Sequence, residues 1–291
     1  MLAQTLAILA PIVLCTLAGF LWKRFEQPFD SRVVALLVTE VTAPCLVLAT
    51  LGKLTLDKYQ ILEVGAYVVL VVAVMVLLSY VTLRLTRSSW QTYACTMIFG
   101  NHGYMGMPLC LFAFGEQGLA LAVIYFSVTM LFHNTLGIAT VSGTMSLRFI
   151  VTSPVIVATL AAIGLVFAGW HLPAWAQNSL SLMGQVTIPL MLFALGVSLA
   201  GIVIQHWQRN LLLALLRTAI CLLAGFGVAQ ILELEGVVRS VIILEAVMPS
   251  AIFNYILAER YQQSPGEVSS VIALSTVIVF LLLPLLLPLL L

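Results

Sequence analysis

Gly100-Asn101-His102-Gly103-Tyr104-Met105-Gly106-Met107-Pro108 lies inside an apolar run that spans about 91–114. Three glycines, a proline and an amide in that stretch make a regular helix expensive. Each Gly costs about 1 kcal/mol and Pro about 3 kcal/mol in a helix interior. Yet the run is long enough to cross a bilayer, which takes roughly 20 apolar residues. Backbone that leaves the helix at membrane depth must face protein or a water-filled cavity, because lipid offers its N–H and C=O groups no partner. The stretch therefore predicts an interrupted transmembrane helix turned towards the protein interior.

A second stretch has the same character. Glu245-Ala246-Val247-Met248-Pro249-Ser250-Ala251-Ile252-Phe253-Asn254-Tyr255 places a proline between a carboxylate, a hydroxyl and an amide. A proline frees the carbonyl four residues before it. For Pro249 that carbonyl is Glu245, and for Pro108 it is Tyr104. Pro44 and Pro189 do the same to Glu40 and Gln185. Paired broken helices in corresponding positions point to a transporter's binding site. Half-helix N-termini favour anions, whereas unwound carbonyls suit a cation or a polar group.

Composition sets the solvent. Of 291 residues, 62% are hydrophobic and 8% charged, against about 25% charged in a soluble domain. Ten apolar segments can be placed, at about 2–22, 33–51, 61–83, 91–114, 119–142, 151–169, 179–201, 211–232, 237–259 and 268–290. This is an all-α integral membrane fold of ten transmembrane helices, with the lipid bilayer as its surroundings and no room for a sizeable soluble domain. The net charge of +1, with Lys23-Arg24 as the longest basic cluster, gives no footprint for nucleic acid. The five cysteines, Cys15, Cys45, Cys95, Cys110 and Cys221, all fall in apolar stretches without metal-ligand spacing and read as packing residues. The first apolar run has its basic residues after it, the reverse of a cleaved signal, so it is expected to be a permanent helix.

Basic residues set the orientation. Lys23, Arg24, Arg32, Arg84, Arg87, Arg148, Arg209, Arg217 and Arg260 fall on one side; Lys53, Lys58 and Arg239 fall on the other. Nine against three places both termini outside the cytoplasmic membrane. Five is odd, so a second five-helix half must enter the membrane upside down. The chain carries traces of that half. Val41-Thr42-Ala43-Pro44 is matched by Val186-Thr187-Ile188-Pro189, and Pro11-Ile12-Val13 by Pro154-Val155-Ile156, at offsets of 145 and 143. Two ordered matches at nearly one offset indicate inverted repeats over 1–143 and 144–291.

Other polar residues in apolar segments are functional candidates by their cost, roughly 3 kcal/mol or more for a charge in the bilayer core. Glu40 and Glu245 are the deepest, and each is a candidate to carry a proton or bind Na⁺. Gln185 stands beside Pro189 as Glu40 stands near Pro44. His133 lies midway through the fifth segment, where a histidine can relay protons. Arg217 is expected to snorkel to the inner face. Trp22, Trp90, Trp170, Trp175 and Trp207 lie near segment ends, as an aromatic belt does.

Three stretches together resemble the auxin efflux carrier family, which includes plant auxin carriers and bacterial malonate- or malate-type permeases. They are Gly100 to Leu109; Leu182-Met183-Gly184-Gln185-Val186-Thr187-Ile188-Pro189 with Ala194 to Leu199; and Glu245 to Tyr255. The resemblance covers essentially the whole chain. It implies a ten-helix inverted-repeat fold similar to that of bile acid and Na⁺/H⁺ transporters, with helices four and nine crossing at breaks marked by Pro108 and Pro249. It also implies a scaffold bundle and a mobile crossover bundle. A carboxylate would bind at Asn101 and Asn254, with Pro108, Pro249, Tyr104 and Ser250 around it. Glu40, Gln185, Glu245 and His133 would support the site or take the coupling ion, H⁺ or Na⁺. The long central loop of the large plant carriers is missing, since only about Gly143 to Ile150 joins the halves. That argues for a prokaryotic member and against auxin as the substrate.

The expected function is a secondary transporter that moves a small organic anion, a mono- or dicarboxylate such as malonate, malate or an auxin-like acid, by elevator-type alternating access, with a homodimer through the scaffold helices. A ligand sensor or a channel on the same fold is the alternative. No G-x-x-x-x-G-K-[ST] occurs for an ATPase, and no H-E-x-x-H or G-x-S-x-G for an intramembrane enzyme.

Overall fold

The computed structural model describes residues 2–53, 58–144 and 153–291. Residues 145–152 lie outside the described residues, and with them Arg148 and most of the join expected at about Gly143 to Ile150, as do the side chains of Lys53 and Lys58. Among the described residues every regular element is helical, and one antiparallel β-bridge joins Gly100 to Ser250. Seven helical stretches among the described residues are long and apolar enough to cross a membrane.

The first half begins with α1 (Leu2–Arg24). α2 (Ser31–Leu37) is capped by Asp30, whose carboxylate accepts the N–H groups of Arg32 and Val33 at 2.9 and 3.1 Å. It runs through a π turn, Val38–Thr42, into α3 (Ala43–Lys53). Next come α4 (Lys58–Leu85) and α5 (Trp90–Ile98). Then a π turn, His102–Gly106, leads into α6 (Met107–Phe132), and another, His133–Gly137, into α7 (Ile138–Ser142). The stretch from His102 to Ser142 has 41 residues. At 1.5 Å per residue it would be about 60 Å long, twice the hydrocarbon core. Gly115, at φ 66°, breaks it inside α6 and turns the chain back. A residue with a side chain is strained in that conformation, which is what glycine supplies here.

The second half holds α8 (Pro154–Ala168), α9 (Ala174–Gln185), α10 (Thr187–Ala200), α11 (Trp207–Ile231), α12 (Gly236–Val247), α13 (Phe253–Arg260) and α14 (Pro265–Leu290). Leu281, Leu285 and Leu289 repeat every four residues along one exposed face of α14, as a lipid-facing helix requires.

Packing divides the helices into two groups. In one, α1 lies on α10, and α3 lies on α8 and α9. In the other, α11 packs against α4, α12 and α14, α12 against α6, and α4 against α5 and α6. The α1–α10 crossing depends on small residues. A Cβ at Gly19 would meet the carbonyl of Phe193, and a Cβ at Gly196 that of Thr16.

Two expectations about breaks need correction. Pro108 does not mark the interruption of the fourth segment. Helix ends at Ile98, Phe99 is extended, helical turns resume at His102, and Pro108 sits where the π turn passes into α6. There, as at Pro44, the π turn ahead of it absorbs the missing hydrogen bond, with Met107 N–H donating to the His102 carbonyl. Pro44 makes no break either. The π turn before it absorbs the missing hydrogen bond, with Ala43 N–H donating to the Val38 carbonyl.

Candidate functional site

The two interrupted segments meet at their non-helical centres. Asn101 N–H donates to the Pro249 carbonyl at 2.6 Å, and Ala251 N–H to the Phe99 carbonyl at 3.1 Å. These bonds satisfy backbone groups that the breaks would otherwise leave bare in the membrane. Ser250 N–H donates to the Ser275 hydroxyl at 3.1 Å, which ties the crossing to α14.

Side chains knit the crossing further. Asn254 donates through Nδ2 to the Phe99 carbonyl at 3.2 Å and to Ser250 Oγ at 3.0 Å. Its Oδ1 is 2.8 Å from His133 Nε2, and since Oδ1 only accepts, that histidine nitrogen carries the proton. The His133 ring stacks on Phe99 at 4.3 Å and meets Phe253 edge-on at 5.1 Å.

Glu245 and His102 form a second cluster behind the crossing. His102 Nε2 accepts the Gly100 N–H at 3.2 Å, which leaves the ring proton on Nδ1. Nδ1 is 3.0 Å from Glu245 Oε2. Cys110 Sγ approaches Oε1 at 3.6 Å. Glu245 is fully buried, and its carboxyl lies against Gly106, where any Cβ would collide with both oxygens. The glycine in the π turn makes room for the acid.

Arg217 belongs to the same interior. It does not snorkel: its side chain is fully buried, and Nε donates to the Thr96 carbonyl at 2.7 Å. α11 starts at Trp207, four residues earlier than the apolar segment suggested. Arg217 is thus about 15 Å along the helix, close to mid-membrane. Its Nη1 and Nη2 have no hydrogen-bond partner among the described residues. Glu245 pairs with His102 rather than with this arginine.

A cavity of about 1100 Å³ opens between the two helix groups. Lys23, Arg32 and Arg260 line it, with Glu259 among them, at the end formed by the α1–α2, α10–α11 and α13–α14 connections, which leaves that end net positive. Asn101, Tyr104 and His133 line it at the crossing, with walls that include Phe126, Met191 and Phe253. Asn101 is the polar group left open. Its Oδ1 accepts the Tyr104 N–H at 3.3 Å as the cap of the π turn. Its Nδ2 is buried with no partner, and a buried donor without an acceptor costs about 1–3 kcal/mol.

The expected site residues therefore separate. Asn101, Tyr104 and His133 reach the cavity. Pro249, Ser250, Asn254 and Glu245 build the crossing behind it, with every polar atom of the Asn254 side chain engaged inside the protein. Pro108 is buried at the start of α6 and does not line this cavity. Glu40 and Gln185 have exposed side chains and line no part of it, so the role expected for them at the crossing is not met in this arrangement. Thr129 also lines the cavity, with its hydroxyl on the Tyr125 and Phe126 carbonyls. A threonine in an apolar helix carries no sequence signal that would have singled it out.

Comparison with known proteins gives a consistent result. The family model described as membrane transport protein matches residues 5–144 and 138–287. An uncharacterized transporter of Methanocaldococcus jannaschii is 23% identical over 286 residues, covering 91% of this chain and 92% of the relative. An uncharacterized transporter of Methanothermobacter thermautotrophicus is 32% identical over 201 residues, 67% of this chain and 65% of that relative.

Proposed function

The chain belongs to the membrane transport protein family of the auxin efflux carriers, and we propose that it is a secondary carrier for a small organic anion, a mono- or dicarboxylate such as malonate or malate. One observation carries this reading: a cavity with a basic mouth ends at an asparagine whose buried side-chain N–H has no acceptor. A carboxylate entering past Lys23, Arg32 and Arg260 meets favourable charge first and the open donor of Asn101 last. Binding there removes the cost of that bare donor. The apolar walls leave the anion few other partners.

The mechanism is alternating access. The ten segments form two inverted five-helix repeats, 1–143 and 144–291, each contributing one interrupted helix to the crossing. The group built on α1, α3, α8, α9 and α10 is the scaffold, and the group that holds the crossing slides against it as an elevator. Two packing groups with the cavity between them support this division. With both termini outside, the basic mouth faces the cytoplasm, and the arrangement is the inward-open state. The protein sits in the cytoplasmic membrane and pairs as a homodimer through the scaffold. His133, held at the cavity by Asn254, is the candidate group for moving a proton with the anion.

The test is counterflow. Proteoliposomes loaded with unlabelled malonate should accumulate labelled malonate saturably, and a panel of mono- and dicarboxylates should compete in a defined order. Conduction without saturation would mark a channel. Ligand binding without exchange would mark a sensor.

A further inference from the structure

The chain passes between the two helix groups at about 54–57, 143–153 and 201–206. The first two joins lie wholly or largely outside the described residues. The third runs from Gly201, after α10, to His206, before α11. With Pro265, Gly266 and Ser269 of α14 it lines one side of the cavity mouth.

This join is built unevenly. Gly201 and Ile202 still bond back to the Ser198 and Leu199 carbonyls, at 3.2 and 3.4 Å, and so finish α10. Val203 and Ile204 are exposed, and neither N–H has a hydrogen-bond partner among the described residues. Gln205 is held at both backbone groups by the helices that carry the crossing. Its N–H donates to Ser270 Oγ of α14 at 2.7 Å, and its carbonyl accepts from Asn210 Nδ2 of α11 at 2.8 Å. Ser270 and Asn210 are fully buried and fixed in turn. Ser270 donates to the Gly266 carbonyl at 2.7 Å, and Asn210 Oδ1 accepts from the Tyr93 hydroxyl of α5 at 3.4 Å. The Gln205 side chain lies over Gly266, where any Cβ would collide with its amide.

Hinges are a few loop residues that absorb the change in φ and ψ between packed bodies. We infer that Val203-Ile204 is a hinge of the carrier and that Gln205 is its fixed end. The anchor travels with the crossing, and the bending of each cycle falls on the two residues before it. This rests on the two-group carrier reading above. It also bounds the motion: three peptide steps from Ile202 to Gln205 reach at most about 11 Å, so the groups cannot part further at this end without unwinding α10.

The experiment has a ligand-free arm and a transport arm. Hydrogen–deuterium exchange is read residue by residue on the purified protein, with and without excess malonate. The Gln205 amide should exchange at least about tenfold more slowly than those of Val203 and Ile204 in both conditions. Ser270→Ala should bring it to their rate. A Gln205 amide as fast as its two neighbours in the wild type overturns the proposal. In the transport arm, Val203→Pro with Ile204→Pro fixes φ at both positions. Malonate counterflow should lose about tenfold or more in maximal rate, with malonate affinity and melting temperature kept. Val203→Gly with Ile204→Gly leaves the segment free to bend and should keep the rate. A proline pair that exchanges at the wild-type rate overturns the proposal, as does a glycine pair that loses as much as the proline pair. Should the proline pair fail to fold, Val203→Pro alone and the exchange pattern decide. Absence of counterflow in the wild type strikes at the carrier reading instead, while amide exchange still decides whether Gln205 is the fixed end.

Discussion

Two glutamates in this chain stand four residues ahead of a proline at membrane depth, Glu40 before Pro44 and Glu245 before Pro249. Their fates differ completely. Glu245 is fully buried, bonded to His102 at 3.0 Å, and the helix behind it ends. Glu40 is exposed in a π turn, and its helix runs on. The proline poses the same problem twice. At Pro249 a second interrupted segment is at hand, and Phe99 to Asn101 supply the partners that an open backbone needs. Around Pro44 no second break is available, so the chain keeps its helix by widening one turn. What a proline does in a membrane helix is decided by what packs against it.

The largest effect expected from this difference is in stability. Glu245→Ala removes the acceptor of His102 Nδ1 and leaves a hole beside Gly106. We expect a loss of about 3 kcal/mol or more, since breaking a buried polar pair strands its partner. Glu40→Ala should stay within about 0.5 kcal/mol, as an exposed substitution does. Denaturant unfolding in detergent micelles measures both. Equal losses at the two positions would show that burial in the single chain is not what separates them.

Much of the architecture was legible because membrane spans follow from apolar length, and the interrupted segments follow from Gly and Pro at membrane depth. The crossing followed from the family resemblance, and Asn101 and the 245–255 stretch do meet as it implies. Two things were not. Which face of a helix a polar residue occupies depends on neighbours, and so Glu40 and Gln185 were assigned inward although they are exposed. Where the break falls depends on the partners the backbone finds, and the chain leaves the helix at Phe99 while a π turn carries it past Pro108. Arg217 was misplaced because one extra turn at the start of α11 moves it from the interface towards the membrane centre.

An intermediate effect is expected within the crossing itself, between its two asparagines. Asn101→Asp keeps the oxygen that caps the π turn and loses the open N–H. Folding should change little, while a negative charge faces the incoming anion. Affinity for the malonate probe should fall by tenfold or more, about 1.4 kcal/mol. Asn254→Asp removes two donations, to the Phe99 carbonyl and to Ser250. It should cost about 1–3 kcal/mol of stability, with affinity in the surviving protein changed less than at Asn101. Equilibrium binding and unfolding, read together on both variants, separate the cavity group from the structural one. A reversal of the two patterns would move the binding site to Asn254.

The smallest effect returns to Glu40 and concerns its charge alone. The residue lies nine positions beyond Ser31, about 14 Å along the helix, too deep to reach water easily. A charge facing lipid there costs roughly 3 kcal/mol, and among the described residues no ion pair holds it, so a covering partner is expected in the working protein. Glu40→Gln removes the charge and keeps the size. In dilute detergent, where the chain is monomeric, it should leave unfolding within about 0.5 kcal/mol and leave counterflow unchanged. The informative variable is protein concentration. A loss that grows as the protein is concentrated would mean that a second copy buries Glu40 against its own surface. The two glutamates would then be alike, one sealed by its own chain and the other by its partner. A loss independent of concentration would place an unseen partner for Glu40 within the single chain, and the contrast with Glu245 would reduce to one of degree.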